Sequence, residues 1–203
     1  TTINTTNLNV EDKNITLNYN ASSDTSGTAD GAGITIQDAV DASNDASLTW
    51  LASADAFKFS HDILLESSTS AKPSLSLINS NTDNLAPEII FQKTAIGADN
   101  DSLGKILFKG DDASNNVETY AQILGEIAEA DHGSEEGKLT LSVASHDGEL
   151  QPGLIMASGA SEDAVVVTLG TASSNGHVNI NGTTGRIRAI DQGGGGHNID
   201  YEF

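Results

Sequence analysis

A chain of 203 residues has room for one all-β domain or two small ones, and its 29 acidic against 9 basic residues give a net charge of −20. A surface that negative repels phosphate backbones and anionic lipid, so no nucleic-acid partner and no membrane insertion are expected. The absence of cysteine excludes disulfides, thiolate zinc sites and cysteine nucleophiles, and aromatics at 4% leave a thin core that association between chains would relieve.

The opening Thr-Thr, without Met, reads as a processed or truncated start, and no apolar run approaches the roughly 18–20 residues of a membrane span. The first recurring signal along the chain is alternation of apolar and polar residues, at Ile15-Leu17-Tyr19, Leu48-Trp50 and Phe57-Phe59. Each run is flanked by Gly, Asn, Asp or Ser, the pattern of half-buried strands joined by tight turns. With a Gly-rich turn at Asp30-Gly31-Ala32-Gly33, residues 1–70 read as a shaft-like β region.

Residues 71–172 carry longer apolar runs, at Leu75-Leu77, Ile106-Phe108 and Leu139-Leu141-Val143, and read as a β-sandwich-like core region. Within them GKILFKGDDASNNVETYAQI, from Gly104 to Ile123, falls in two strands, 103–110 and 117–123, around a polar loop. Ile123, Leu124 and Ile127 have helix-compatible spacing, but Tyr120 to Leu124 also suits a strand, and a strand is the expected state. Residues 173–203 alternate again at Val178-Ile180 and around Ile187. They then cross a joint at Gly193 to Gly196 and end in a strand-like Ile199 to Phe203. In all, roughly fourteen short strands and almost no helix are expected, so the fold class is all-β with short antiparallel strands and tight turns. The strand-like first twenty and last five residues suit pairing with a neighbouring subunit's sheet edge.

Residues capable of chemistry are present, but in patterns that suit turns. Gly104-Lys105 lacks the GxxxxGK[ST] frame and the helix start of a phosphate loop. Asp111 to Asn116 offers close oxygen ligands without the register of a calcium hand, and Asp and Asn are what turns select. Asp131 to Glu136 carries a loop's composition and runs directly into a strand. His61, His132, His146, His177 and His197 show no local metal-ligand spacing. A three-fold axis would gather one histidine from each of three chains, and His177 is the position best suited to that. Carboxylate pairs for glycoside hydrolysis exist by number alone, and the single near miss to a calcium nonapeptide at 193–198 is not an array. Five N-x-S/T sequons are about what this Asn, Ser and Thr content supplies by chance. No enzyme activity and no cofactor are expected, with Ca2+ bridging of acidic strands as the secondary expectation.

Three segments taken together carry a resemblance: Ala29 to Gln37 (ADGAGITIQ), Ala46 to Trp50 (ASLTW) and Ala54 to Ser60 (ADAFKFS). Pro73 to Asn79, Leu103 to Gly110 and Tyr120 to Ile123 follow in the same order. Over about 30–150 the chain resembles tail-fibre and virion structural proteins of marine and cyanobacterial bacteriophages. That resemblance implies an elongated, β-rich, intertwined or closely packed homotrimer in the virion or outside the cell, supporting host attachment with no catalytic residue. A host cell-surface glycan or receptor is the implied external partner. It also implies that Trp50, Phe57 and Phe59 bury against neighbouring strands or chains. With Phe108, Tyr120, Tyr201 and Phe203 they are the packing and assembly candidates. Two other functions stay open: a self-assembling extracellular filament joined by terminal strand exchange, and a carbohydrate-binding or carbohydrate-degrading fibre module.

Overall fold

A computed structural model describes residues 10–11, 13–19, 22–23, 25–38, 42–160 and 164–170. The expected strands at 178–180 and around 187, the glycine joint, His177, His197, Tyr201 and Phe203 lie outside the described residues. The chain divides into two compact units, Thr1–Asn84 and Leu85–Phe203. What is described of both is all-β: two antiparallel sheets, of three and five strands, with a single 3-10 turn at Ala42–Asn44 and no α-helix.

In the first unit, β1 (Gly33–Ile36), β2 (Ala46–Leu51) and β3 (Ala56–Phe59) lie in the order β1-β2-β3. The Gly-rich turn is where the sequence places it. Gly31, at φ 79°, turns the chain so that its N–H donates to the Trp50 carbonyl (2.9 Å), while Trp50 N–H donates to the Ala32 carbonyl (2.8 Å). Asp30 Oδ1 accepts the Ala52 N–H at 2.9 Å, so the turn prolongs the β1–β2 pairing beyond the strand itself. At Gly33 a Cβ would run into the Leu48 carbonyl. Pairing Ile34 with Leu48, Leu48 with Phe59 and Trp50 with Phe57 puts Ile34, Ile36, Leu48, Trp50, Phe57 and Phe59 on one face. Thr35, Ser47, Thr49 and Lys58 take the other.

In the second unit β4 (Ser102–Asp111), β5 (Val117–Glu129), β6 (Glu136–Ala144), β7 (Leu150–Ser158) and β8 (Val165–Leu169) form a meander, each strand hydrogen-bonded to the next. The segment from Tyr120 onward is strand, and the apolar spacing that also fits a helix is read out across the sheet instead. Register produces one row of five aliphatic residues, a residue from each strand: Ile106, Ile123, Leu141, Leu154 and Leu169. The next row on the same face is Gly104, Gly125, Leu139, Met156 and Val167. On the opposite face the equivalent row is Lys105, Leu124, Thr140, Ile155 and Thr168, and Lys138 pairs there with Glu126 at 3.1 Å. The sheet therefore has one apolar and one mixed face, as an antiparallel sheet with a single packed side requires.

Two expected strands do not form. Residues 13–19 with Ile15, Leu17 and Tyr19, and residues 73–79 with Leu75 and Leu77, have the alternation but belong to no sheet. Alternation encodes a strand's two faces but not a partner, and among the described residues no strand pairs with Ile15 to Tyr19 or with Leu75 to Leu77. The same shortage shows in burial: among the described residues no hydrophobic side chain is buried, and the buried ones are Thr140 and Ser142. Both lie on the central strand of the mixed face, shielded by longer neighbours across the register, Leu124 and Ile155 for Thr140, Gln122 and Pro152 for Ser142.

Candidate functional site

The polar motifs resolve into turns. Lys105 sits mid-strand opposite Leu124, with no helix start to hold a phosphate beside it. Asp112 closes the β4–β5 loop: its carboxylate accepts the Ser114 N–H (2.7 Å), the Asn116 N–H (2.8 Å) and Asn116 Nδ2 (3.0 Å). Its own N–H donates to the Asn116 carbonyl, while Asn115 takes φ 66°. The Asn116 donors, backbone first, then that of Ser114, hold this carboxyl below its ordinary range. At the β6–β7 turn Asp147 accepts from the Ser145 hydroxyl and from the Glu149 N–H, which lowers its pKa in the same way.

Asp131 to Glu136 is likewise a tight turn, with Ser134 N–H on the Asp131 carbonyl and Gly133 at φ 89°. His132 lies in solvent with Nδ1 3.2 Å from Glu135 Oε1, and backbone donors followed by this contact lower the Glu135 pKa. Ser60 Oγ is 2.8 Å from His61 Nδ1, an arrangement that invites comparison with a nucleophile and its base. That hydroxyl already accepts the Ser47 N–H at 2.8 Å, so it closes the end of the β2–β3 pairing in open solvent. Among the described residues no three His, Asp or Glu side chains are grouped to hold a metal ion.

What the fold does concentrate is apolar surface. In the first unit Trp50 is half-buried and meets Phe57 edge-on, with ring centroids 5.3 Å apart and planes at 75°. Phe57 and Phe59 share its face and remain exposed. An open groove of about 320 Å³ runs along that face between Ile34, Ile36, Leu48 and Phe59. In the second unit Phe108 extends the aliphatic face and is exposed. Tyr120 falls at the irregularity between Phe108 and Lys109, its ring 3.5 Å from where a Gly110 Cβ would stand. The structure thus groups Trp50, Phe57 and Phe59 on one sheet and Phe108 and Tyr120 on the other.

Phe91, which the sequence reading does not single out, reaches the apolar face from the segment before β4. Its side chain lies over Gly104, and a Cβ there would come within 2.6 Å of Phe91 Cβ and Cγ. Around it a groove of about 180 Å³ is lined by Leu103, Ile106, Ile123 and Leu139. The chain just after Phe91 is fastened to β5. Asn100 N–H donates to the Ile127 carbonyl (2.8 Å), Ile127 N–H to the Asp101 carbonyl (2.9 Å), and Ala130 N–H to Asp99 Oδ1 (2.9 Å). Lys93 Nζ lies 2.7 Å from Asp101 Oδ1, which, with the Ala98 N–H, holds the Asp101 carboxyl below its ordinary range. Nothing in the local sequence around Phe91 marks it, because the space it fills is made by a glycine thirteen residues later. β8, a Val-Val-Val-Thr-Leu edge strand exposed along its whole length, carries the β-branched signal that a strand search can use.

Comparison of the chain with family models, with curated proteins and with solved structures gives no match.

Proposed function

We propose that this protein is a non-enzymatic structural subunit of an extracellular fibre, working as a homotrimer of the phage tail-fibre kind and supporting host attachment. The observation that carries the reading is the missing core. No hydrophobic side chain is buried among the described residues, while each sheet holds one face made almost wholly of aliphatic and aromatic residues. An antiparallel sheet buries its apolar face against a second layer about 10 Å away; among the described residues of each unit no second sheet supplies it, and on the larger sheet Phe91 covers only the part over Gly104. Copies of the same chain supply that layer, and rotational symmetry lets one patch serve every subunit. The likeness of residues 30–150 to tail-fibre sequences supports the same reading. Molar mass from light scattering together with electron micrographs tests it: rod-shaped trimers support it, and compact monomers at micromolar concentration oppose it.

One observation favours a second reading, a self-assembling filament. β8 is an edge strand without a charged residue, whereas the other edge, β4, is blunted by Lys105, Lys109 and two register shifts. A bare edge of this kind accepts a strand from the next subunit. Deleting the first ten residues separates the readings. A filament joined by that terminal strand falls to monomers, and a trimeric fibre stays trimeric.

A further inference from the structure

Residues 62–78 form two arms without secondary structure, joined by a turn. The arms are 62–66 and 73–78, and in the turn between them Lys72 N–H donates to the Thr69 carbonyl at 3.1 Å. No residue of either arm belongs to a strand or a bridge, and all are exposed. Long runs without secondary structure are uncommon in compact domains, and those that stay disordered are poor in hydrophobic residues. This one is rich in them: Ile63, Leu64, Leu65, Leu75, Leu77 and Ile78 are all between 46% and 85% exposed. In the second arm Leu75 and Leu77 alternate with Ser74 and Ser76, the pattern of a strand with one face to bury. The side-chain pattern of the second arm is that of a strand, and the ladder is absent.

Building on the homo-oligomeric reading above, we infer that residues 73–78 are an inter-chain strand. They pair with the same residues of a second copy and turn Leu75 and Leu77 into the shared interior. Charge favours that occupant. In a chain of net −20, like copies repel wherever acids face each other, yet residues 73–82 (PSLSLINSNT) hold no charged side chain. Identical uncharged arms meet without that cost, and about a rotation axis residue 77 of one copy lies near residue 77 of the next. An arm on its own has two open edges, so pairing with further copies satisfies backbone groups that the single chain leaves to water.

The test uses the full chain at the concentration where its native mass is measured. Amide exchange over 73–78 is expected to be slowed by at least about a hundredfold relative to free-coil rates, and to return to those rates on dilution to monomer. Because the chain has no cysteine, single substitutions report contacts without background. Under oxidation L75C and L77C are expected to give covalent dimers, and S76C, on the opposite side of the strand, is not. If a variant fails to assemble, exchange in the unsubstituted protein decides. An oligomer whose 73–78 amides exchange at free-coil rates overturns this inference and leaves the homo-oligomeric reading standing. Slow exchange in a protein that stays monomeric assigns the arm to another part of its own chain and overturns both, as does a monomer with fast exchange.

Discussion

Phe91 occupies the space that a side chain on Gly104 would fill: a Cβ on that glycine would lie 2.6 Å from both Cβ and Cγ of Phe91. This relationship lays the Phe91 side chain on the apolar face of the five-stranded sheet. Gly125, the cross-strand partner of Gly104, has nothing within 4 Å of a Cβ built on it. The two glycines therefore predict opposite results. Gly104→Ala forces the half-exposed Phe91 aside and is expected to destabilise the unit by about 1 kcal/mol, the low end of the cost of overfilling. Gly125→Ala, in a strand interior with open space, is expected to be neutral or stabilising by up to about 1 kcal/mol. Chemical denaturation of the two variants checks this.

Leu169 and Thr168 are neighbours on the edge strand β8 whose side chains point to opposite faces, Leu169 at the end of the aliphatic row and Thr168 at the end of the mixed one. Leu169 is 57% exposed in the single chain, where a polar replacement ordinarily changes stability by no more than about 0.5 kcal/mol. If copies cover the aliphatic face, Leu169→Asp places a carboxylate in a shared interior. The variant is expected to lose oligomer with little change in its strand content, while Thr168→Asp keeps the oligomer. Size-exclusion chromatography with light scattering, alongside circular dichroism, reads both effects.

Acid should act on the turns before the sheets. Asp112, Asp101 and Asp147 all have pKa values lowered from an ordinary 3.8 by hydrogen bonds made in the folded chain, that from Lys93 being the largest cause at Asp101. A carboxyl lowered in this way stabilises the fold fully above its unfolded pKa and loses that contribution as pH falls through the folded value. Stability is therefore expected to be flat above about pH 5 and to fall below about pH 4. Asp112→Asn removes the charged acceptor and should flatten that fall. Thermal melts of both proteins across pH 2–7 measure it.

Ionic strength should work in the other direction. Bringing together chains of net charge −20 is opposed by repulsion that salt screens over a Debye length of about 10 Å at 0.1 M. Association driven by uncharged apolar faces is expected to tighten as NaCl rises from about 10 to 500 mM. The midpoint concentration from sedimentation equilibrium should fall across that range. Replacing NaCl by calcium at equal ionic strength separates screening from cation bridging: an extra rise in melting temperature would favour bridging, and none would remove it.

How much of this was legible in the sequence follows from what alternation encodes. Period-two patterning names the strands around Trp50, Phe57, Phe108 and Leu141, and it resolves the helix-compatible spacing of Ile123, Leu124 and Ile127 in favour of a strand. It does not encode register, so the row from Ile106 to Leu169 emerges only when five strands are paired, with the shifts at Phe108/Lys109 and Leu141/Ser142 included. Nor does it encode partners, which is why Ile15 to Tyr19 and Leu75 to Leu77 look like strands and, among the described residues, stand outside both sheets. Phe91 was hidden for a third reason, since its place depends on the absence of a side chain at residue 104. The turns were the most readable elements, because Asp, Asn and Gly act there through short-range hydrogen bonds and positive φ.

The most direct test is the native molar mass of the purified protein by multi-angle light scattering, at physiological salt and micromolar concentration. With no hydrophobic side chain buried in the described chain, the account predicts three times the 21.0 kDa of one chain. A stable, cooperatively folding monomer of 21.0 kDa would contradict it.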